Sequence, residues 1–306
     1  VNIAIDLMTS VRLDPIPSGV EILSEDMGLG ARADSWEALV PGGPLDLVIR
    51  TVRFCGANGV RVVTASAAPP GSGLGASSSL LVALLAALLR RQGLAVTTER
   101  LVDLAARLEA QSIRVPTGKQ DYYAACGGGV NAIWFRVAGD TVEPLPATRD
   151  FLEALESRLL LAFTGQAHFS GSPNWQTMRA YLDGVEETVG AMRRIKEIAL
   201  AMYEALWHGD LERFTVLLGE EWAHRRRLAP GVSTLFVERL MAAAAACGAR
   251  ASKLCGAGGG GCMVTVVEEG SRERVAAALA AEGATVLPFQ IARRGLRVHV
   301  KRGRSP

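Results

Sequence analysis

The chain has 306 residues, 49% of them hydrophobic, and 33 basic against 31 acidic side chains, so its formal charge is only +2. That length can bury a large core and predicts two domains, while the even charge balance argues against nucleic acid or a membrane surface as partner. The longest unbroken apolar run, 80–89, is too short to span a bilayer.

In chain order, residues 1–68 alternate apolar and polar in short runs (3–11, 19–23 and 59–66), separated by Pro- and Gly-containing turns. This predicts a β-rich segment with one helix at 45–55. The opening residues, Val1 to Leu7, read as the middle of a sheet, with a first strand expected upstream. A helix is predicted over 77–92, ending near Gly93, and another from Thr97 or Thr98 through Gln111 with Leu101, Leu104, Ala105 and Leu108 on one face. Glu109 falls on its last turn, Pro116 and Gly118 break it, and Asp121 starts a short helix closed by Gly127, Gly128 and Gly129. Segments 130–136 and 141–145 read as a hairpin.

The texture changes near residue 155, which sets the expected domains at 1–155 and 156–306. A strand at 159–163 leads into a polar loop at 164–173, with 165–174 the guess for a substrate-facing lid. One long helix is then expected, with Trp175, Met178, Leu182, Val185, Val189, Met192 and Ile195 as a core stripe. Helices at 210–226 and 233–246 follow, and Arg225, Arg226 and Arg227 read as a solvated face in preference to a phosphate clamp. Two strands flanking the glycines of 256–261, a helix at 271–282 and strands at 285–289 and 296–300 complete a β-β-α-β pattern of ferredoxin type. The basic tail 301–304 is expected to be disordered.

The stretch Pro70-Gly71-Ser72-Gly73-Leu74-Gly75-Ala76-Ser77-Ser78 stands out chemically. Glycines this dense belong to a loop, and the apolar run after them to a buried helix. Free N–H groups and the positive end of the helix dipole would then face one small space suited to phosphate, with serine hydroxyls available to a Mg²⁺. No Gly-Lys-Ser/Thr closes the loop, so it is not a Walker A sequence, and the third glycine spacing rules out a dinucleotide fingerprint. Taken alone, such a turn is more often a tight connection than a nucleotide site. Asp121 alone is equally open: a lone Asp at a helix start is usually a cap, and its alternative is a carboxylate facing a polar cavity. The five cysteines show no CxxC spacing and read as reduced packing residues of a cytoplasmic protein. None of His168, His208, His224 and His299 is near the patches in sequence, so no catalytic histidine is assigned.

Together the three patches resemble the GHMP kinase superfamily, named for galactokinase, homoserine, mevalonate and phosphomevalonate kinases. Residues 69–78 resemble its Pro-x-x-x-Gly-Leu-Gly-Ser-Ser phosphate loop, with Ala76 in place of the first serine. Lys253 to Gly261 resembles its C-terminal Gly-Ala-Gly-Gly-Gly motif, and Gly118-Lys119-Gln120-Asp121 its catalytic-aspartate segment. The last, with the 164–175 loop, leans toward the sugar-kinase branch that includes heptose 7-phosphate kinases. The resemblance implies an α+β chain with a ribosomal-S5-like N-terminal domain, a ferredoxin-like C-terminal domain and ATP between them. It also implies ATP contacts from Pro70 to Ser78 and from Gly256, Gly258 and Gly259, Mg²⁺ ligation by Ser77 and Glu109, and catalysis by Asp121. Lys119 is a candidate phosphate contact, or else a surface lysine. The implied activity is phosphoryl transfer to a hydroxyl of a sugar or sugar phosphate by a monomer or homodimer. The family's first motif would precede Val1, and its absence motivates a rival reading, a non-catalytic nucleotide or sugar binder. An isoprenoid or amino-acid alcohol is the other alternative acceptor.

Overall fold

The computed structural model describes residues 1–145, 148–167 and 171–301. The N-terminal half opens with β1 (Asn2–Ile3), β2 (Thr9–Pro15), β3 (Val20–Ser24), β4 (Leu29–Ala33), α1 (Asp46–Phe54) and β5 (Val60–Ser66). Helices α2 (Ala76–Arg91), α3 (Thr98–Ile113) and α4 (Gln120–Gly127) and the antiparallel pair β6 (Val130–Trp134) and β7 (Thr141–Pro144) follow. One sheet has the order β2-β5-β3-β4 with β3 and β5 parallel, and a second the order β1-β6-β7. In β3 the period of two is visible as burial: Val20, Ile22 and Ser24 point inward, Glu21 and Leu23 outward. Helix α2 is apolar nearly all round, and its Leu81, Leu84, Leu85 and Leu88 are fully buried between the first sheet and α1, α3 and α4.

The C-terminal half comprises α5 (Arg149–Arg158), β8 (Leu159–Phe163), α6 (Gly171–Leu182), α7 (Glu186–Trp207), α8 (Leu211–Arg225), α9 (Leu235–Ala246), β9 (Ala249–Leu254), β10 (Cys262–Val267), α10 (Arg272–Ala281) and β11 (Thr285–Leu287). Its antiparallel sheet has the order β11-β8-β10-β9, the interleaved arrangement of a ferredoxin-like domain. Helix α5 runs across the expected boundary at 155 and passes directly into β8. One core cluster joins the halves: Val130, Ala132 and Leu145 pack with Leu155, Leu159, Phe214 and Leu217.

Two expectations fail here. The single long helix is two, because Gly184 at φ 73° closes α6. Val185 N–H bonds Ala180 C=O at 2.9 Å and Gly184 N–H bonds Tyr181 C=O at 3.2 Å, a Schellman closure. Trp175, Met178 and Leu182 on α6 are exposed, as are Val185 and Met192 beyond the break, and α7 instead buries Thr188, Ala191, Ile198, Ala205 and Leu206. Residues 296–300 form no strand: they alternate, but pair with no strand among the described residues. Alternation makes a segment extended; a ladder also needs a partner. The lid expectation falls partly on residues 168–170, outside those described, and otherwise on the start of α6. Residues 302–304 of the tail also lie outside.

The glycines at 127–129 do more than end α4. A Cβ on Gly128 would stand 2.4 Å from the carbonyl carbon of Arg294, and one on Gly295 would stand 2.2 Å from Cys126 O. The returning chain crosses there, binding β1's extension through Ala292 N–H to Ala4 C=O (2.9 Å) and the glycine turn through Gly129 N–H to Ala292 C=O (2.7 Å).

Candidate active site

The glycines of the 69–75 loop are needed for their backbone angles: Gly71, Gly73 and Gly75 have φ of 68°, 71° and 73°. Gly75 is the N-cap of α2, with no side chain capping the helix, and the first intrahelical bond is Ser79 N–H to Gly75 C=O at 2.9 Å. The serines therefore lie within the first turn rather than at the cap, and the N–H groups of 76–78 lack intrahelical acceptors, as a bound anion requires. Ser72 is buried with its hydroxyl unpartnered.

The loop meets both other patches. A Cβ on Gly75 would stand 2.7 Å from Asp121 Cβ and 2.9 Å from its Cγ, so the acid of α4 lies directly against the loop. Burial, reinforced by the negative charge of Glu109 nearby, pushes the Asp121 carboxyl up to about 6. The C-terminal glycine turn also docks on the loop. Gly256 lies against Gly73, whose own Cβ would stand 2.8 Å from Cys255 O, and Cys262 N–H bonds Ser72 C=O at 2.6 Å. Gly258 and Gly259 instead face the chain at 232, Gly259 N–H donating to Val232 C=O at 2.7 Å. Gly261 takes the loop contact, its Cβ position 2.6 Å from Ser72 O. Residues Gly73, Leu74, Gly75, Ala76 and Asp121 line a cleft of about 1580 Å³ that Gly256 also borders.

Ser77 Oγ donates to Glu109 Oε1 at 2.6 Å, bringing together the two expected metal ligands. Glu109 is 6% exposed and has no Lys or Arg in ion-pair range among the described residues, although burying an uncompensated carboxylate is costly. These hard oxygen donors without a cationic side chain fit a Mg²⁺ that takes its remaining ligands from phosphate and water. Among the described residues no cluster of three or more His, Cys, Asp or Glu is gathered.

Lys119 is a correction. Its ammonium is committed to Asp103 (2.7 Å) and Asp140 (3.0 Å), which raise its pKa, and it does not line the cleft. The arginine triplet divides: Arg226 and Arg227 pair on the surface with Glu238 and Glu187, whereas Arg225 turns inward to Glu221 at 2.6 Å. Glu221 also holds Lys253 at 2.7 Å, and all three line the cleft, as does His299. Sequence patterning had no means of finding this group, whose members come from α8 and β9. The same holds for Thr117 and Tyr122, which bind Glu109.

Comparisons agree with this architecture. The N-terminal domain of GHMP kinases matches residues 45–129 and their C-terminal domain matches 202–285. A Campylobacter jejuni D-glycero-alpha-D-manno-heptose 7-phosphate kinase is 31% identical over 238 residues, covering 76% of this chain and 69% of that protein. A mevalonate kinase from Thermococcus sibiricus is 29% identical over 250 residues, with 78% and 69% covered. The crystal structure of a D-glycero-D-manno-heptose 1-phosphate kinase from Bacteroides thetaiotaomicron superposes with a TM-score of 0.75 at 27% identity, covering 97% of this chain and 89% of that one. Fold and relatives define a phosphotransferase that uses ATP and acts on an alcohol group. The chain belongs to the GHMP kinase family.

Proposed function

We propose that the protein transfers the γ-phosphoryl group of ATP to a hydroxyl of a sugar or sugar phosphate. The observation that carries this is the contact of Asp121 with Gly75, which sets a carboxylate beside a helix N-terminus with free amides. Phosphoryl transfer asks mainly for positioning and charge neutralisation. The amides of 71 and 73–78 hold the β- and γ-phosphates, while Ser72 N–H is spent on Pro69 C=O, and the glycine turn at 256–261 braces the loop. Ser77 and Glu109 hold Mg²⁺, which, when bound, neutralises charge on the transferring group. Asp121, ionised above about pH 6, accepts the proton of the acceptor hydroxyl at its carboxylate oxygen.

The sugar reading draws on the heptose kinases among the relatives. Mevalonate is the competing acceptor, favoured by the mevalonate kinases similar to this chain. A phosphorylation screen over hexoses, heptoses, their phosphates and mevalonate decides it. Turnover with a sugar or sugar phosphate at least about tenfold above mevalonate is the expected result. Activity on mevalonate alone would overturn the sugar assignment, and ATP binding without any turnover would favour the non-catalytic reading. A cytoplasmic location belongs to the same proposal, consistent with five free cysteines. The monomer or homodimer state is open to light scattering.

A further inference from the structure

Glu109 sits on the last turn of α3, and all its observed hydrogen bonds come from neutral hydroxyls. Ser77 Oγ donates to Oε1 at 2.6 Å, whereas Thr117 Oγ1 donates to Oε2 at 3.1 Å and Tyr122 OH donates to the same oxygen. Tyr122 is fully buried, so its hydroxyl has no competing water, and its ring is locked by packing in the N-terminal core. A glutamate side chain has several soft torsions and swings unless something fixes it. Here two donors saturate Oε2, which leaves Oε1, beside the Ser77 hydroxyl, as the oxygen turned toward the phosphate loop.

We propose that Tyr122 and Thr117 are positioning residues that aim Glu109 at the cation by occupying its Oε2, so that ligation runs through Oε1 alone. The inference rests on the reading of Glu109 as a metal ligand. It assigns a role to the residue next to the acid: successive helical positions point about 100° apart, so α4 presents Asp121 to the loop and Tyr122 to α3. One short helix thus sets both the base and the metal carboxylate. Outer hydrogen-bond partners of metal ligands typically change metal affinity by about 10- to 100-fold when removed.

The test is Mn²⁺ binding to the protein–ADP complex, followed by the loss of the free-ion signal in electron paramagnetic resonance, with ADP affinity in excess chelator as control. Tyr122→Phe is expected to weaken Mn²⁺ binding about tenfold or more and to leave metal-free ADP affinity unchanged. Thr117→Val is expected to weaken it less. Glu109→Gln gives the reference loss. If Glu109→Gln abolishes Mn²⁺ binding while Tyr122→Phe matches the wild type, the positioning role is overturned and the metal reading stands. If Glu109→Gln itself binds Mn²⁺ normally, the underlying reading fails. Should Tyr122→Phe not fold, Thr117→Val decides alone, and unchanged Mn²⁺ affinity there overturns the proposal.

Discussion

At the scale of residues, Asp121 is the proposed base and is also held under stress by burial. Asp121→Asn should lower turnover by about 10²–10⁴-fold, the usual range for a lost general base, with ATP affinity retained. Stopped turnover assays and nucleotide titration check this, and undiminished turnover would remove Asp121 from the mechanism. Because the acid must be ionised to accept a proton, kcat/KM should rise with pH through about 6 in the wild type. Stability runs the other way. A carboxyl raised from its ordinary 3.8 to about 6 binds its proton more tightly in the folded chain. Its favourable contribution is therefore complete below about pH 4 and lost as pH rises through 6. In the nucleotide-free protein at pH 8, Asp121→Asn should raise stability by about 1–3 kcal/mol, read from denaturant midpoints. A variant with unchanged midpoint would show that the carboxyl is not strained.

Among the secondary-structure elements, the decisive features are the two glycine turns that clasp each other. Gly75→Val places side-chain atoms where Asp121 already stands and forces φ 73° on a β-branched residue. Calorimetric titration should show ATP binding abolished; retained affinity would make the loop purely structural. Gly261→Ala pushes against Ser72 O at 2.6 Å, where the nearest atoms are all backbone of Gly71 and Ser72 and no flexible side chain can yield. It should cost about 2 kcal/mol or more and weaken ATP binding together with Tm, since the turn supports the loop. One cap was legible beforehand: Thr97 accepts from Arg100 N–H at 3.3 Å, at the start expected for α3. Asp183-Gly184 is a local stop signal at the end of α6, and the expected stripe runs straight through it. Stripes report which residues share a helix face; they do not report whether anything packs on it.

Across the whole molecule, the core that includes Val130, Leu155 and Phe214 couples the halves. Leu155→Ala, at 1% exposure, should cost about 2–5 kcal/mol and lower the unfolding of both halves in one transition. Leu182→Ala, at 77% exposure, should change stability by no more than about 0.5 kcal/mol. Two separate transitions for Leu155→Ala, in scanning calorimetry, would deny the coupling.

Sequence alone determined what depends on neighbours along the chain: most helices and strands, the glycine-rich turns, and three motifs whose order specified the family. Only tertiary structure decided which side chains meet. Ser77 finds Glu109 across 32 residues, Lys119 turns to Asp103 and Asp140, and Gly261 packs against Ser72 of the phosphate loop. The reason is physical. Periodicity and backbone angles are local properties of a few residues, whereas the partner of a side chain is chosen by the packing of segments that share no pattern.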